Sequence, residues 1–241
     1  MNLRFLILYV GSFLYTCSSL CGSSFTYALS DFTSGLDGWG GGADGEISTE
    51  GAINAGNDYM RKEIDLDGAG GTKARMVVRR PVNSVSLASD SWLGDFISKG
   101  IQSVQLDFRV WSSDPIYLRL ALSDVTNPMI STGTWWVSKT YFKFNQQDGW
   151  GTASFNLIEN EMQRVGDFNG GFGTDSLQTT LSNVNGFRFI GSSSGNSALG
   201  DQFSGVIGMD NIKLISIPEP SATAAVLVVL ASVSVFLRRR I

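Results

Sequence analysis

The alternation of apolar and polar residues is strictest at 105–111. There Leu106, Phe108 and Val110 fall on one side of an extended chain, and Gln105, Asp107, Arg109 and Trp111 on the other. A period of two over this length predicts a strand with one buried face. Ser112, Ser113, Asp114 and Pro115 supply turn residues, after which Ile116, Leu118, Leu120 and Leu122 repeat the inward row opposite Tyr117, Arg119 and Ala121. The two runs read as a hairpin, which places Arg109, Trp111, Tyr117 and Arg119 on one continuous outer face. Further strands are predicted over 58–65, 74–80, 134–144, 150–157, 184–190 and 206–217, with a short helix over 90–99 stopped by Gly100. Of the 28 glycines, 26 lie between Gly35 and Gly208, which interrupts the chain too often for long helices. Segments of this size, broken by glycine and Asx turns, predict an all-β protein with a single jelly-roll-like β-sandwich ectodomain over 25–217.

The two ends follow a different pattern. Arg4 precedes an apolar run at 5–14, and small residues follow at Thr16, Cys17, Ser18 and Ser19, so 1–24 reads as a secretory signal peptide. Near the other end, 221–237 holds 17 uncharged residues, the lower limit for a helix crossing a bilayer, and Arg238, Arg239 and Arg240 follow directly. One C-terminal transmembrane helix is predicted, with its arginines in the cytoplasm and the ectodomain outside. Before it stand Pro218, Glu219 and Pro220; the prolines hold the chain extended and present Glu219.

The Pro218-Glu219-Pro220 motif, the minimal span and the terminal arginine cluster together resemble the PEP-CTERM sorting signal of bacterial surface proteins, over 218–241. The resemblance implies recognition by an exosortase-type membrane peptidase after export through the secretion translocon and the inner membrane. It further implies cleavage near the Pro-Glu-Pro motif, a membrane anchor that is only transient, and delivery to the cell surface or an exopolysaccharide matrix.

Composition narrows the chemistry. The cysteines are Cys17 and Cys21, both in the signal segment, so the ectodomain has neither a disulfide framework nor a thiolate metal site. There is no histidine, which removes the Ser-His-Asp and Cys-His constellations and the His-ligated zinc sites. Within 25–217, 14 Lys and Arg face 21 Asp and Glu, a net charge of −7 that repels phosphate backbones and argues against nucleic acid as a partner. Glu159 and Glu161 are two residues apart and read as a solvated turn rather than a glycosidase pair. Asp65 and Asp67 read as an Asx turn rather than a calcium loop.

Two further segments carry a second resemblance. Phe32, Gly35, Gly38 and Trp39 near the start, and the run Gly208-Met209-Asp210-Asn211-Ile212-Lys213-Leu214 near the end, resemble the first and last strands of galactose-binding-like carbohydrate-binding jelly-roll modules. The resemblance implies that first and last strands pair and bring Asp31 near Asp210, where a structural calcium ion would sit. It implies no catalytic residues. Sugar rings lay their C–H faces on aromatic side chains while polar groups take the hydroxyls, so Trp111, Tyr117, Trp135 and Trp136, with Arg109 and Arg119, are the expected ligand-binding residues. The function expected is a non-catalytic component that binds extracellular polysaccharide. The alternatives are a purely structural surface protein without a ligand, and a polysaccharide hydrolase or lyase that works without histidine.

Overall fold

The inward rows of the predicted strands meet in one hydrophobic core between two sheets. The computed structural model describes residues 23–40, 45–64, 76–79, 90–125, 133–165, 173–196, 198, 200–201 and 203–217. Thr26–Ile215 form one unit; of the other, Met1–Phe25 with Ser216–Ile241, only residues 23–25 and 216–217 are described. The signal segment 1–22 and the sorting segment 218–241 therefore lie outside the described residues, as do Asp65 and Asp67. Among the described residues no helix is long and apolar enough to cross a membrane.

The first sheet orders β10 (Gly151–Asn156), β6 (Ile101–Val110), β13 (Gly205–Ser216), β4 (Tyr59–Ile64) and β3 (Glu46–Ser48), and β1 (Phe25–Ser30) also pairs with β13. The second orders β11 (Met162–Val165), β8 (Trp135–Ser138), β7 (Ile116–Ser123), β12 (Gly186–Ser192), β5 (Met76–Arg79) and β2 (Trp39–Gly40), and β9 (Phe142–Phe144) also pairs with β7. The pairings with a defined register are antiparallel. Leu106, Phe108 and Val110 of β6 and Phe155 of β10 face Leu118, Leu120, Phe187 and Phe189 of the second sheet in one buried cluster. Ring pairs join the sheets across it: Phe108 to Phe144 at 4.9 Å and Phe155 to Phe189 at 6.4 Å. The architecture is an all-β sandwich of the jelly-roll kind.

The structure corrects three expectations. Although 105–111 and 116–122 have the predicted inward rows, they do not form a hairpin: β6 lies in the first sheet beside β10 and β13, and β7 in the second beside β12, β8 and β9. Alternation states which residues share a face, but not which strand they pair with. Five residues between β6 and β7 are enough chain to cross the roughly 10 Å between packed sheets. The outer faces of the two strands are consequently on opposite sides of the sandwich.

The predicted helix over 90–99 is a series of turns. At its centre, backbone groups are taken by tertiary partners instead of their own i−4 neighbours: Gly94 N donates to Val184 O at 2.7 Å, and Phe96 N to Leu181 O at 2.8 Å. Trp92, Leu93 and Phe96 plug the core there. The single strand expected over 134–144 is divided into β8 and β9, because Ser138 donates its hydroxyl to Thr140 O at 2.9 Å and closes a turn at 139–141. Among the described residues an α-helix, α1 (Leu177–Leu181), forms where the sequence pattern predicts none; Ser176 caps it by accepting from Thr179 N at 3.1 Å.

In β13 the alternation changes phase. Ile207 and Met209 enter the core, and so do Ile212 and Leu214, so Asp210 and Asn211 both face outward. Asn211 has φ of 48°, a left-handed conformation that Asn tolerates better than most residues, and the strand bulges at this point.

Candidate functional site

The six residues expected to bind a ligand separate into three groups. Arg109 and Trp111 are on the outer face of the first sheet, beside Tyr59 and Trp150. Trp111 stacks on Tyr59 at 5.7 Å, and the Arg109 guanidinium covers it at 4.7 Å. Arg109 and Trp150 both donate to Gly51 O, at 2.7 and 2.8 Å, while the Tyr59 hydroxyl donates to Glu50 O at 2.6 Å. This cluster fastens the loop between β3 and β4 across the sheet. The ring of Trp111 is engaged by its own neighbours.

Trp135 and Trp136 point to opposite sides of β8, as adjacent strand residues must. Trp136 packs on the main core and donates its indole N–H to Asp175 O at 3.3 Å. Trp135 belongs to a small outer cluster with Ala121, Val137 and Ile190; it is 5% exposed, with the Arg188 guanidinium 4.9 Å over its ring.

Tyr117 and Arg119 form the third group, and here the structure adds residues that the sequence did not single out. The register of β9 on β7 sets Lys143 opposite Tyr117. Phe142 and Phe144 pack inward, so alternation sends Tyr141 and Lys143 outward beside Tyr117. Tyr141 meets Tyr117 edge to face at 5.0 Å and 79°, and Lys143 Nζ lies 5.8 Å from the centre of the Tyr117 ring. The buried Arg119 lies beneath, its guanidinium 5.3 Å from Tyr141. It donates to Ser138 O and Lys139 O on one side and to Gly195 O at 3.0 Å on the other, tying together the two turns that flank Tyr141. Burial pulls its pKa down from the usual guanidinium value, yet an arginine remains a cation at neutral pH.

The second of those turns is also fixed. Asp201 accepts from Ser193 N and from Ser194 Oγ, and these hydrogen bonds outweigh its burial and hold its pKa below the ordinary carboxylate value. A Cβ on Gly195 would overlap the Tyr141 ring, so the glycine lets the backbone come flush against the tyrosine. The outcome is an aromatic ring held from below and still 42% exposed. Period two on β9 could have identified Tyr141 and Lys143, had β9 been separated from β8.

Asp210, on the bulge, is fully buried. It accepts from Asn211 N and from Asn57 Nδ2, both at 2.7 Å. Its pKa is pushed up to about 6, chiefly by burial, with Asp107 and Asp31 adding repulsion that the two amide donors only partly offset. The Asp31 side chain accepts from Thr33 N and Oγ1 at 3.2 and 2.8 Å. These are oxygen donors of the type calcium takes, although among the described residues no three carboxylates are gathered closely enough to hold a metal by themselves.

Two other carboxylate pairs are engaged otherwise than as a glycosidase pair. Glu159 and Glu161 lie in a turn after β10, where Glu161 accepts the Asn156 amide at 3.0 and 3.1 Å. Asp124 and Asp175 are hydrogen-bonded to each other, and Asp124 has its pKa raised, first by burial and then by that partner. Glycosidase carboxyls stand at least about 5 Å apart, so a pair in direct contact cannot flank a glycosidic bond.

No known protein-family model matches the chain, and no curated protein matches it. Among solved structures, the chain is similar to a solution structure of CtCBM11 with 20% identity and a TM-score of 0.45, covering 83% of this chain and 98% of that one. It is also similar to a family 11 carbohydrate-binding module of Clostridium thermocellum in complex with a β-1,3-1,4-mixed-linked tetrasaccharide, with 18% identity, a TM-score of 0.45 and coverage of 79% and 96%. A third is the CBM22-1 xylan-binding domain of Paenibacillus barcinonensis Xyn10C, with 9% identity, a TM-score of 0.40 and coverage of 82% and 96%.

Proposed function

We propose that this is an exported surface or matrix protein whose β-sandwich binds polysaccharide without cleaving it, through the corner formed by Tyr117, Tyr141 and Lys143. The observation that carries the reading is Tyr141: a ring 42% exposed, yet fixed in place by Arg119, Tyr117 and the backbone at Gly195. An aromatic held ready in this way loses little entropy when a sugar stacks on it. Titrating the full-length protein with polysaccharides by calorimetry tests this. Tyr141→Ala should weaken binding about tenfold, as expected for a stacked ring worth on the order of 1 kcal/mol. Equal binding by Tyr141→Ala and the parent protein overturns the site, and the absence of any polysaccharide binding favours the ligand-free structural reading.

The tail supports the rest of the proposal: processing by an exosortase-type peptidase at Pro218-Glu219-Pro220, with Arg238, Arg239 and Arg240 holding the precursor in the membrane. A calcium ion between Asp31 and Asp210 is proposed as a structural clamp. The mutual repulsion of these carboxylates supports it, and the remaining ligands would come from backbone carbonyls and water.

A further inference from the structure

We infer that the polysaccharide taken at the Tyr117–Tyr141 corner is an acidic one, carrying uronate carboxylates that pair with Lys143; the inference rests on the carbohydrate-binding reading of that site. The two tyrosines stand at 79° to one another with centroids 5.0 Å apart. Perpendicular rings this close cannot both lie flat against one sugar chain, so stacking at this corner engages a single residue, on Tyr141. One stacked ring gives about tenfold in affinity. Useful binding needs a polar contribution beside it.

The polar groups beside Tyr141 are cationic. Lys143 is exposed, and its ammonium and the Tyr141 ring both lie within 6 Å of the Tyr117 ring centre, at 5.8 and 5.0 Å. Lys139, also exposed, starts the turn that leads into Tyr141 and donates to the carbonyls of Glu159 and Asn160 at 3.1 and 2.9 Å. Arg119, beneath the ring, donates to three backbone carbonyls. Carbonyls satisfy hydrogen bonds without cancelling charge. Two carboxylates keep their charge close by: Asp201 accepts from Ser193 and Ser194, and Asp148 accepts from Asn145 N and Nδ2 at 2.9 and 2.6 Å, with Lys143 adding a weaker attraction that lowers the Asp148 pKa further; against them stand the three cations Lys139, Lys143 and Arg119.

A lysine donates to hydroxyl and carboxylate oxygens alike, but only a carboxylate also answers its charge, and such a charge-assisted pair is stronger than a hydrogen bond to a neutral hydroxyl. The contrast with the surroundings is part of the argument. In an ectodomain of net charge −7, a polyanion is repelled over most of the surface and finds its match at this corner.

The test compares binding of the full-length protein to alginate and polygalacturonate with binding to the carboxyl-reduced form of each polymer, which keeps the rings and removes the charge. Tighter binding of the acidic forms by tenfold or more is expected. That preference should vanish in Lys143→Gln, whose melting temperature should match the parent's, while Tyr141→Ala weakens both forms alike. Equal affinity for acidic and reduced polymers, or an acid preference that survives Lys143→Gln, overturns the inference and leaves the site standing. Binding to neither form takes down the carbohydrate-binding reading itself.

Discussion

Asp210 is a carboxylate with no exposed surface, and what it does to stability depends on pH. Its folded-state pKa, pushed up to about 6, lies above the ordinary aspartate value of 3.8, so the native state holds the proton more tightly than the unfolded chain. The contribution of this group is therefore most favourable below about pH 4 and falls as pH rises through 6, by roughly 2–3 kcal/mol in all. Asp210→Asn should flatten the stability curve between pH 4 and 6 and raise stability at pH 7, measured by urea unfolding across pH in the presence of a chelator. If calcium sits at Asp31 and Asp210, added calcium should raise the melting temperature at pH 7, and Asp210→Asn should abolish the rise. Gly195 gives a second test at this scale. Gly195→Ala displaces the Tyr141 ring without removing it, so polysaccharide binding should fall severalfold while the melting temperature changes little.

At the scale of elements, β13 contains a non-glycine residue with positive φ. Asn211 holds a left-handed backbone at the bulge and donates its amide to Asp107 at 3.0 Å, which secures the side chains of adjacent strands. Asn211→Ala removes both the hydrogen bond and the tolerance for positive φ, and should cost about 1–3 kcal/mol in denaturant unfolding. Asn211→Gly should cost less, because it keeps the backbone freedom. Gly208, two residues before Asp210, has a different role: a Cβ there would lie 2.8 Å from Trp111 and 2.9 Å from Trp150. Gly208→Val should push both indoles outward and free the loop they hold, seen as faster protease cutting within 49–57 and a loss of about 1–3 kcal/mol.

On the scale of the whole molecule, stability comes from apolar rows meeting across two sheets, with an aromatic knot of Trp39, Trp92, Phe187 and Phe189 at the centre. Phe187, with no exposed surface, touches the other three, and Phe187→Ala should cost about 3–5 kcal/mol in urea unfolding. For the precursor, intact-mass measurement of surface-extracted protein should find a chain ending near Pro218-Glu219-Pro220. A mass that still includes Ile241 would rule out processing, and Glu219→Ala should leave the precursor in the inner membrane.

By itself the sequence determined what local chemistry determines. Period two placed Leu106, Phe108 and Val110 inward and Arg109 and Trp111 outward; glycine content excluded long helices; and the absence of histidine excluded whole classes of catalysis. The motif at either end implied that first and last strands pair, and β1 does pair with β13. Only the tertiary structure decided which sheet each strand joined, because alternation is the same for a hairpin as for two strands that face each other across a core. That decision took Arg109 and Trp111 to one side of the sandwich and left Tyr117 and Arg119 on the other. It also brought Tyr141, Lys143 and Gly195 to Tyr117 from separate elements. An exposed tyrosine has no periodic signature, and its fixed position depends on an arginine and a glycine that reach it only when β7, β9 and the turn after β12 are folded together.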